Sequence, residues 1–138
     1  MRVLLDTDVV LDLIMAREPF ADDAAALWIA NERADVDAVI SPITPVNVFY
    51  VVRKLRGAEV ARRAVDALLG GLHVCTVDEA SMHLAATLAM GDFEDAAQVA
   101  AALRNGADAI VTRNGSDYTG CPLPVFAPAD LLRRIAGL

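Results

Sequence analysis

Residues 91–118, GDFEDAAQVAAALRNGADAIVTRNGSDY, constrain the chain more than any other stretch. Asp92, Glu94 and Asp95 open it, and residues 98–103 (QVAAAL) then run on with almost no polar face. A helix apolar nearly all round belongs inside a fold rather than on its surface. Asn105-Gly106 ends the run with residues that tolerate the left-handed conformation found at helix ends. Residues 109–112 read as a short buried strand, and residues 113–117 as a polar turn. The acidic first turn of the helix and the turn after the strand are expected to meet at one end of a buried sheet. That is where α/β folds place their ligands. Asp6, after the apolar run Arg2–Leu5, joins them if its strand is parallel and adjacent.

The rest of the chain alternates in the same way. Asp8 reads as the N-cap of an amphipathic run over residues 9–16, with Asp12 one turn on and facing solvent. Pro19 breaks that run, and residues 20–33 form a second helix with Ala24, Leu27, Trp28 and Ala30 towards the core. Asp37–Ile40 is the next strand. Thr44-Pro45 looks like an N-cap and first helical residue, which puts Asn47 at the third position of a helix reaching about Leu55. Arg53, Lys54 and Arg56 crowd its C-terminal end, where the helix dipole favours cations. A helix over 58–69 carries Arg62 and Arg63. A strand over 73–77, a helix over 79–90, a strand over 123–126 and a helix over Pro128–Ile135 complete the series. Strands alternating with helices or helix pairs imply a mostly parallel sheet covered on both faces. The expected architecture is a single α/β domain over residues 1–138.

Bulk properties narrow the function. No apolar run approaches the ~20 residues needed to span a bilayer, and Met1-Arg2 with Asp6 close behind does not read as a secretory leader. Cys75 and Cys121 are far apart, without metal-ligand spacing, and read as thiols in a reducing cytoplasm. Basic residues number 12 against 19 acids, a net charge of −7. That balance argues against broad, non-specific binding to nucleic acid. A local contact bridged by a divalent ion remains compatible with it.

Each acid has an ordinary explanation. Asp6 is placed where turn formers sit, Asp92 and Asp95 are spaced like a helix cap, and Asn114 and Asp117 follow a strand in a turn. Asp95 fits least well, because the helix it opens is so apolar and no cation lies near it in sequence. Taken together the explanations weaken. Several carboxylates converging at strand ends raise one another's pKa unless a cation holds them. Oxygen ligands without histidine or thiol suit Mg²⁺ or Mn²⁺, and such ions promote hydrolysis of phosphate esters and diesters.

At this point the residues resemble a family. LLDTDVVLDLIM, SPITPVNVFYVVRK and DFEDAAQVAAALRNGADAIVTRNGSDY are similar, in order, to the successive blocks of a PIN domain, and most to the VapC-type toxins of bacterial toxin–antitoxin pairs. The last block is the most specific part, and the resemblance covers essentially the whole chain. It implies a three-layer α/β/α sandwich around a parallel sheet, and metal-dependent cleavage of RNA by three or four acids. The first acid then falls at Asp6 and the third at Asp95. The second, usually Glu, is Asn47 here, and the fourth falls at Asn114, where many members have Asp. Asp117 is the expected substitute supplier of charge. An asparagine carbonyl can contact a metal, but it brings no charge and cannot act as a base.

The resemblance further implies a cytoplasmic protein with an RNA substrate, a cognate antitoxin and a homodimeric state. RNA is expected to approach over Arg53, Lys54, Arg56, Arg62 and Arg63, with Arg113 beside the acids orienting a phosphate. Two alternatives stand beside the nuclease. Asp6-Thr7-Asp8 resembles the nucleophile motif of haloacid-dehalogenase-type phosphatases, although the only lysine, Lys54, lies outside any matching motif. A catalytically weak PIN-like module that binds RNA or a partner would suit Asn47 and Asn114.

Overall fold

The computed structural model describes residues 1–137. Five strands, β1 (Arg2–Leu5), β2 (Asp37–Ile40), β3 (His73–Val74), β4 (Ala109–Val111) and β5 (Val125–Phe126), form one sheet in the order β3-β2-β1-β4-β5. Every pairing is parallel. Side chains alternate across the strands, as the two-residue period of a strand requires. Val3, Leu5, Ala38, Ile40, Ala109 and Val111 point into a core shared with α1 (Thr7–Ile14), α2 (Ala21–Glu32), α3 (Ile43–Arg56), α4 (Ala58–Gly71) and α7 (Pro128–Ile135). Leu4, Val39 and Ile110 point to the other face, where α6 (Phe93–Arg104) lies with α5 (Glu79–Thr87). The result is the three-layer sandwich expected. Among the described residues no helix is long and apolar enough to cross a membrane.

The chain feeds the strands so that β1 is central. It passes from β1 outward to β2 and β3, then crosses back to β4 on the other side. Such a reversal opens a crevice at the carboxyl ends of the two strands that flank it. Here those strands are β1 and β4, and the residues leaving them are Asp6 and Thr112. Helix α6 is placed against this crevice because Ala96 to Ala102 are all buried. Small side chains let it lie close to the sheet, and Asn105 and Gly106 (φ 71°) stop it.

Several boundaries differ from the sequence expectation, each for a local reason. Helix α1 begins at Thr7 and its N-cap is Asp6, not Asp8. Helix α3 begins at Ile43 without a side-chain cap, so Asn47 is no capping-box residue. It leads into α4 through Gly57, whose φ of 89° turns the chain in one residue, as glycine allows. Strand β3 is two residues long instead of five. Beyond it, Asn105 at the end of α6 takes both backbone groups of Thr76, Nδ2 donating at 2.9 Å and Oδ1 accepting at 3.0 Å. Those groups are therefore unavailable to the sheet. Helix α5 stops at Thr87, and β5 covers only the last two residues of its expected run.

Candidate active site

Asp6 is the fixed point of the crevice. Its residue is only 9% exposed, and donors from three elements hold its carboxylate. The Thr7 N–H donates to Oδ1 at 2.7 Å, Gln98 Nε2 donates to the same oxygen at 2.8 Å, and Thr112 Oγ1 donates to Oδ2 at 2.9 Å. A buried carboxylate with this many donors keeps its orientation. Gln98, 1% exposed in the middle of α6, also approaches the Tyr118 hydroxyl at 3.2 Å and Ser41 Oγ at 3.5 Å. Tyr118 is itself buried, and burial, then the charges of Asp6 and Asp95, push its phenol far up, so it stays protonated.

Asp95 sits in the first turn of α6. Its backbone N–H donates to Asp92 Oδ1 at 2.9 Å, so Asp92 is the cap and Asp95 is left to face the crevice. Burial, and after it the charges of Asp6, Asp92, Asp117 and Glu94, push the Asp95 carboxyl up to about 6. The two motif acids, far apart in sequence, therefore share one electrostatic environment. Asp117 is exposed in the short 3-10 helix Gly115–Tyr118. With Gly91, Asp92, Asp95, Ser116 and Thr119 it lines a cleft of about 390 Å³. Asn47 borders this region, its Nδ2 donating to Glu94 Oε1 at 2.9 Å and tying α3 to the start of α6.

On the opposite side of Asp6, Asp8 turns away from its own helix. Its Oδ2 accepts from Asn114 Nδ2 at 2.6 Å and lies 3.2 Å from Thr112 Oγ1, while Oδ1 is buried without a partner among the described residues. Burial, then the charge of Asp6, push this carboxyl up to about 6. Asn114 also donates its backbone N–H to Thr112 Oγ1 at 3.1 Å.

One expectation is corrected here. Asp12 does not face solvent. It is 2% exposed and accepts from Arg17 Nε and Arg113 Nε, each at 2.8 Å. Arg113 is thereby tied to α1, and its guanidinium lies 4.3 Å from the centre of the Phe20 ring. The other cations of the expected RNA path, Arg53, Lys54, Arg56, Arg62 and Arg63, are exposed on α3 and α4.

Gln98, Thr112 and Tyr118 were not singled out in the sequence. Gln98 left a signal, as the one polar side chain in the interior of an otherwise apolar helix, where an amide needs partners. Thr112 and Tyr118 left none, since each matters only through the crevice that β1 and β4 make.

The donor set suits a hard divalent ion in part. It is all oxygen, it concentrates negative charge, and it leaves one buried carboxylate oxygen unpartnered. Among the described residues, however, no three histidine, cysteine, aspartate or glutamate side chains stand close enough to enclose a metal. The expected convergence of Asp6, Asp95 and Asp117 is thus electrostatic rather than a closed cage. Mg²⁺, which keeps several waters and needs only one or two carboxylates, fits such an open arrangement.

Comparisons with known proteins agree with this fold. A family model described as PIN domain matches residues 2–116. No curated protein sequence matches the chain. Among solved structures, DNA-bound VapBC from Salmonella typhimurium superposes with a TM-score of 0.71 at 18% identity, covering 93% of this chain and 98% of that one. A toxin–antitoxin complex from Klebsiella pneumoniae gives 0.69 at 23% identity, with 91% and 97% covered. Mycobacterium tuberculosis VapC20, described as a sarcin–ricin loop cleaving toxin, gives 0.62 at 16% identity, with 78% and 86% covered. At these identities the likeness is one of fold.

Proposed function

The chain belongs to the PIN domain family, and from that premise we propose that it is a metal-dependent ribonuclease, the toxin of a toxin–antitoxin pair. The observation that carries this reading is the approach of Asp95 to Asp6 across the crevice, close enough that, after burial, the charge of Asp6 raises the Asp95 carboxyl. An uncompensated pair of carboxylates at a topological switch point is a site awaiting a cation. Similar folds described as VapBC and as a sarcin–ricin loop cleaving toxin support the choice of substrate and of an antitoxin partner. The reading takes residues 1–138 as one domain and the working protein as a homodimer.

Asp6 and Asp95, with Asp117 and Asn114, are the residues that would hold Mg²⁺ or Mn²⁺. The ion would supply charge for the phosphodiester and an activated water. The chain's own residues do the rest. Gln98, Thr112 and the Thr7 N–H hold the Asp6 carboxylate in one orientation. The open cleft beside Asp95 and Asp117 gives a single strand room to enter. Asn47 braces Glu94 and the start of α6 instead of acting as a base. The phosphatase alternative loses ground, because Lys54 lies exposed in the last turn of α3.

Calorimetric titration with Mn²⁺ tests the reading, alongside cleavage of a fluorogenic single-stranded RNA with and without EDTA. The parent is expected to bind Mn²⁺ and to cut only when metal is present. Asp6→Asn and Asp95→Asn should each keep the fold and lose both properties. Unchanged Mn²⁺ affinity in both variants would count decisively against the site.

A further inference from the structure

The 2.6 Å contact between Asn114 Nδ2 and Asp8 Oδ2 distributes charge in the crevice differently from the family motif. With an aspartate at position 114 in the same pose, two carboxylate oxygens would stand at that separation. Like charges so close cannot both ionise without a cation between them. The amide at position 114 instead donates to the acid at position 8, so the two form a matched pair.

Asp8 does not cap α1, which is the role of Asp6. Among the described residues it forms no salt bridge, and Arg113 acts on it only from a distance. Arg113 and Arg17 spend their Nε donors on Asp12, and Arg17 reaches only the Asp8 backbone carbonyl, at 3.3 Å. Asp8 is coupled to Asp6 through the Thr112 hydroxyl, 3.2 Å from one and 2.9 Å from the other. That hydroxyl has a single proton and serves only one carboxylate at a time.

We propose that Asp8 supplies the negative charge that position 114 lacks, with Asn114 as its required amide partner. Asp8 is a positioning residue. It acts on a bound cation through its field and through the Thr112 link to Asp6. The inference rests on the metal-dependent reading above and assigns the fourth charge of that site to Asp8 in preference to Asp117.

A four-member cycle tests it, comprising the full-length parent, Asp8→Asn, Asn114→Asp and the double exchange. Each is titrated with Mn²⁺ by calorimetry and melted in EDTA. Asp8→Asn should weaken Mn²⁺ by about 10-fold or more, the scale found for residues that tune a metal from behind its ligands. It is nearly isosteric and should melt no lower than the parent. Asn114→Asp alone should lower the metal-free melting temperature by placing two acids in contact. The double exchange should regain both the melting temperature and most of the Mn²⁺ affinity. A lost packing contact would not be restored by moving the charge across the hydrogen bond.

Parental Mn²⁺ affinity in Asp8→Asn overturns the inference, as does a double exchange that binds no tighter than Asp8→Asn. Asp6→Asn and Asp95→Asn, run in parallel, separate the two levels. If those lose the metal while Asp8→Asn keeps it, only the inference fails. If the parent binds no Mn²⁺, the underlying reading fails and the inference with it.

Discussion

Gln98 reaches from the middle of α6 to donate a 2.8 Å hydrogen bond from Nε2 to Oδ1 of Asp6. The two residues are 92 positions apart in the chain, and the bond pins the helix layer to the end of the central strand. Replacing Gln98 with leucine keeps the volume and deletes a hydrogen bond to a charged group. Urea unfolding should show a loss of about 1.5–3 kcal/mol. Gln98→Glu should cost more at pH 7.5 than at pH 5, because it sets a second carboxylate beside Asp6. A leucine variant as stable as the parent would show that this contact does not hold the crevice.

Asp12 supports the turn that carries Asn114 without touching the crevice. It is buried and bonded to both Arg17 and Arg113. Asp12→Ala strands two guanidiniums that are partly exposed, so the cost should fall below the ~3–5 kcal/mol of a fully buried broken pair. About 2 kcal/mol is expected from thermal melts. Arg113→Ala should cost less, since Arg17 remains on Asp12. If Arg113→Ala leaves stability untouched and abolishes RNA binding, the guanidinium faces substrate after all.

The metal-free protein should lose stability as the pH rises through about 6. Asp8 and Asp95 are both pushed up to about 6 by burial and neighbouring acids. The folded chain therefore holds these protons more tightly than the unfolded chain, whose aspartates titrate near 4. Their contribution is complete below the unfolded value and is lost as the pH passes the folded one. Asp95→Asn removes one of these groups, so in EDTA it should gain on the parent between pH 4.5 and 7.5. Asp95 is partly exposed and screened, which limits the gain to about 1 kcal/mol. Saturating Mn²⁺ should reverse the order at pH 7.5 by stabilising the parent alone. An identical pH profile for parent and variant would remove the electrostatic argument for the site.

The layer order, and the meeting of Asp6 and Asp95 at one end of the sheet, were legible because they are written in local patterns. The seven buried residues of α6 showed in its alanine run, and Asp92 showed in its cap spacing. Asp6 and Asp95 followed from a parallel sheet and a motif. Partnerships were not legible, because a hydrogen bond between residues 8 and 114 or between 12 and 113 depends on side-chain direction. Asp12 illustrates the limit. One turn past a cap it looks like a solvated acid, and only the return of β4 beside α1 makes it the partner of two arginines. Asn47 failed in another way, since a helix that started earlier than its Thr-Pro signal moved it out of the capping position.

The exposed cations of α3 offer the last test, of how RNA reaches the acids. Arg53, Lys54 and Arg56 fill the final turn of that helix, and Arg62 and Arg63 follow on α4. Asn47, at the crevice, precedes Arg53 by six residues on the same helix, or about 9 Å of rise. In a chain with a net charge of −7, a phosphate path has to be local, and this is the densest run of cations available. The bland alternative is that they complement the negative C-terminal end of α3, in which case their loss changes stability and leaves RNA alone. Salt dependence separates the two. Each phosphate contact to a single strand contributes a slope of about 0.7 in log K against log salt. Neutralising Arg53, Lys54 and Arg56 together should therefore flatten the slope by up to about 2, while Arg113→Ala, already committed to Asp12, should leave it near the parental value. A triple variant that keeps both affinity and slope would place the RNA path on another face of the molecule.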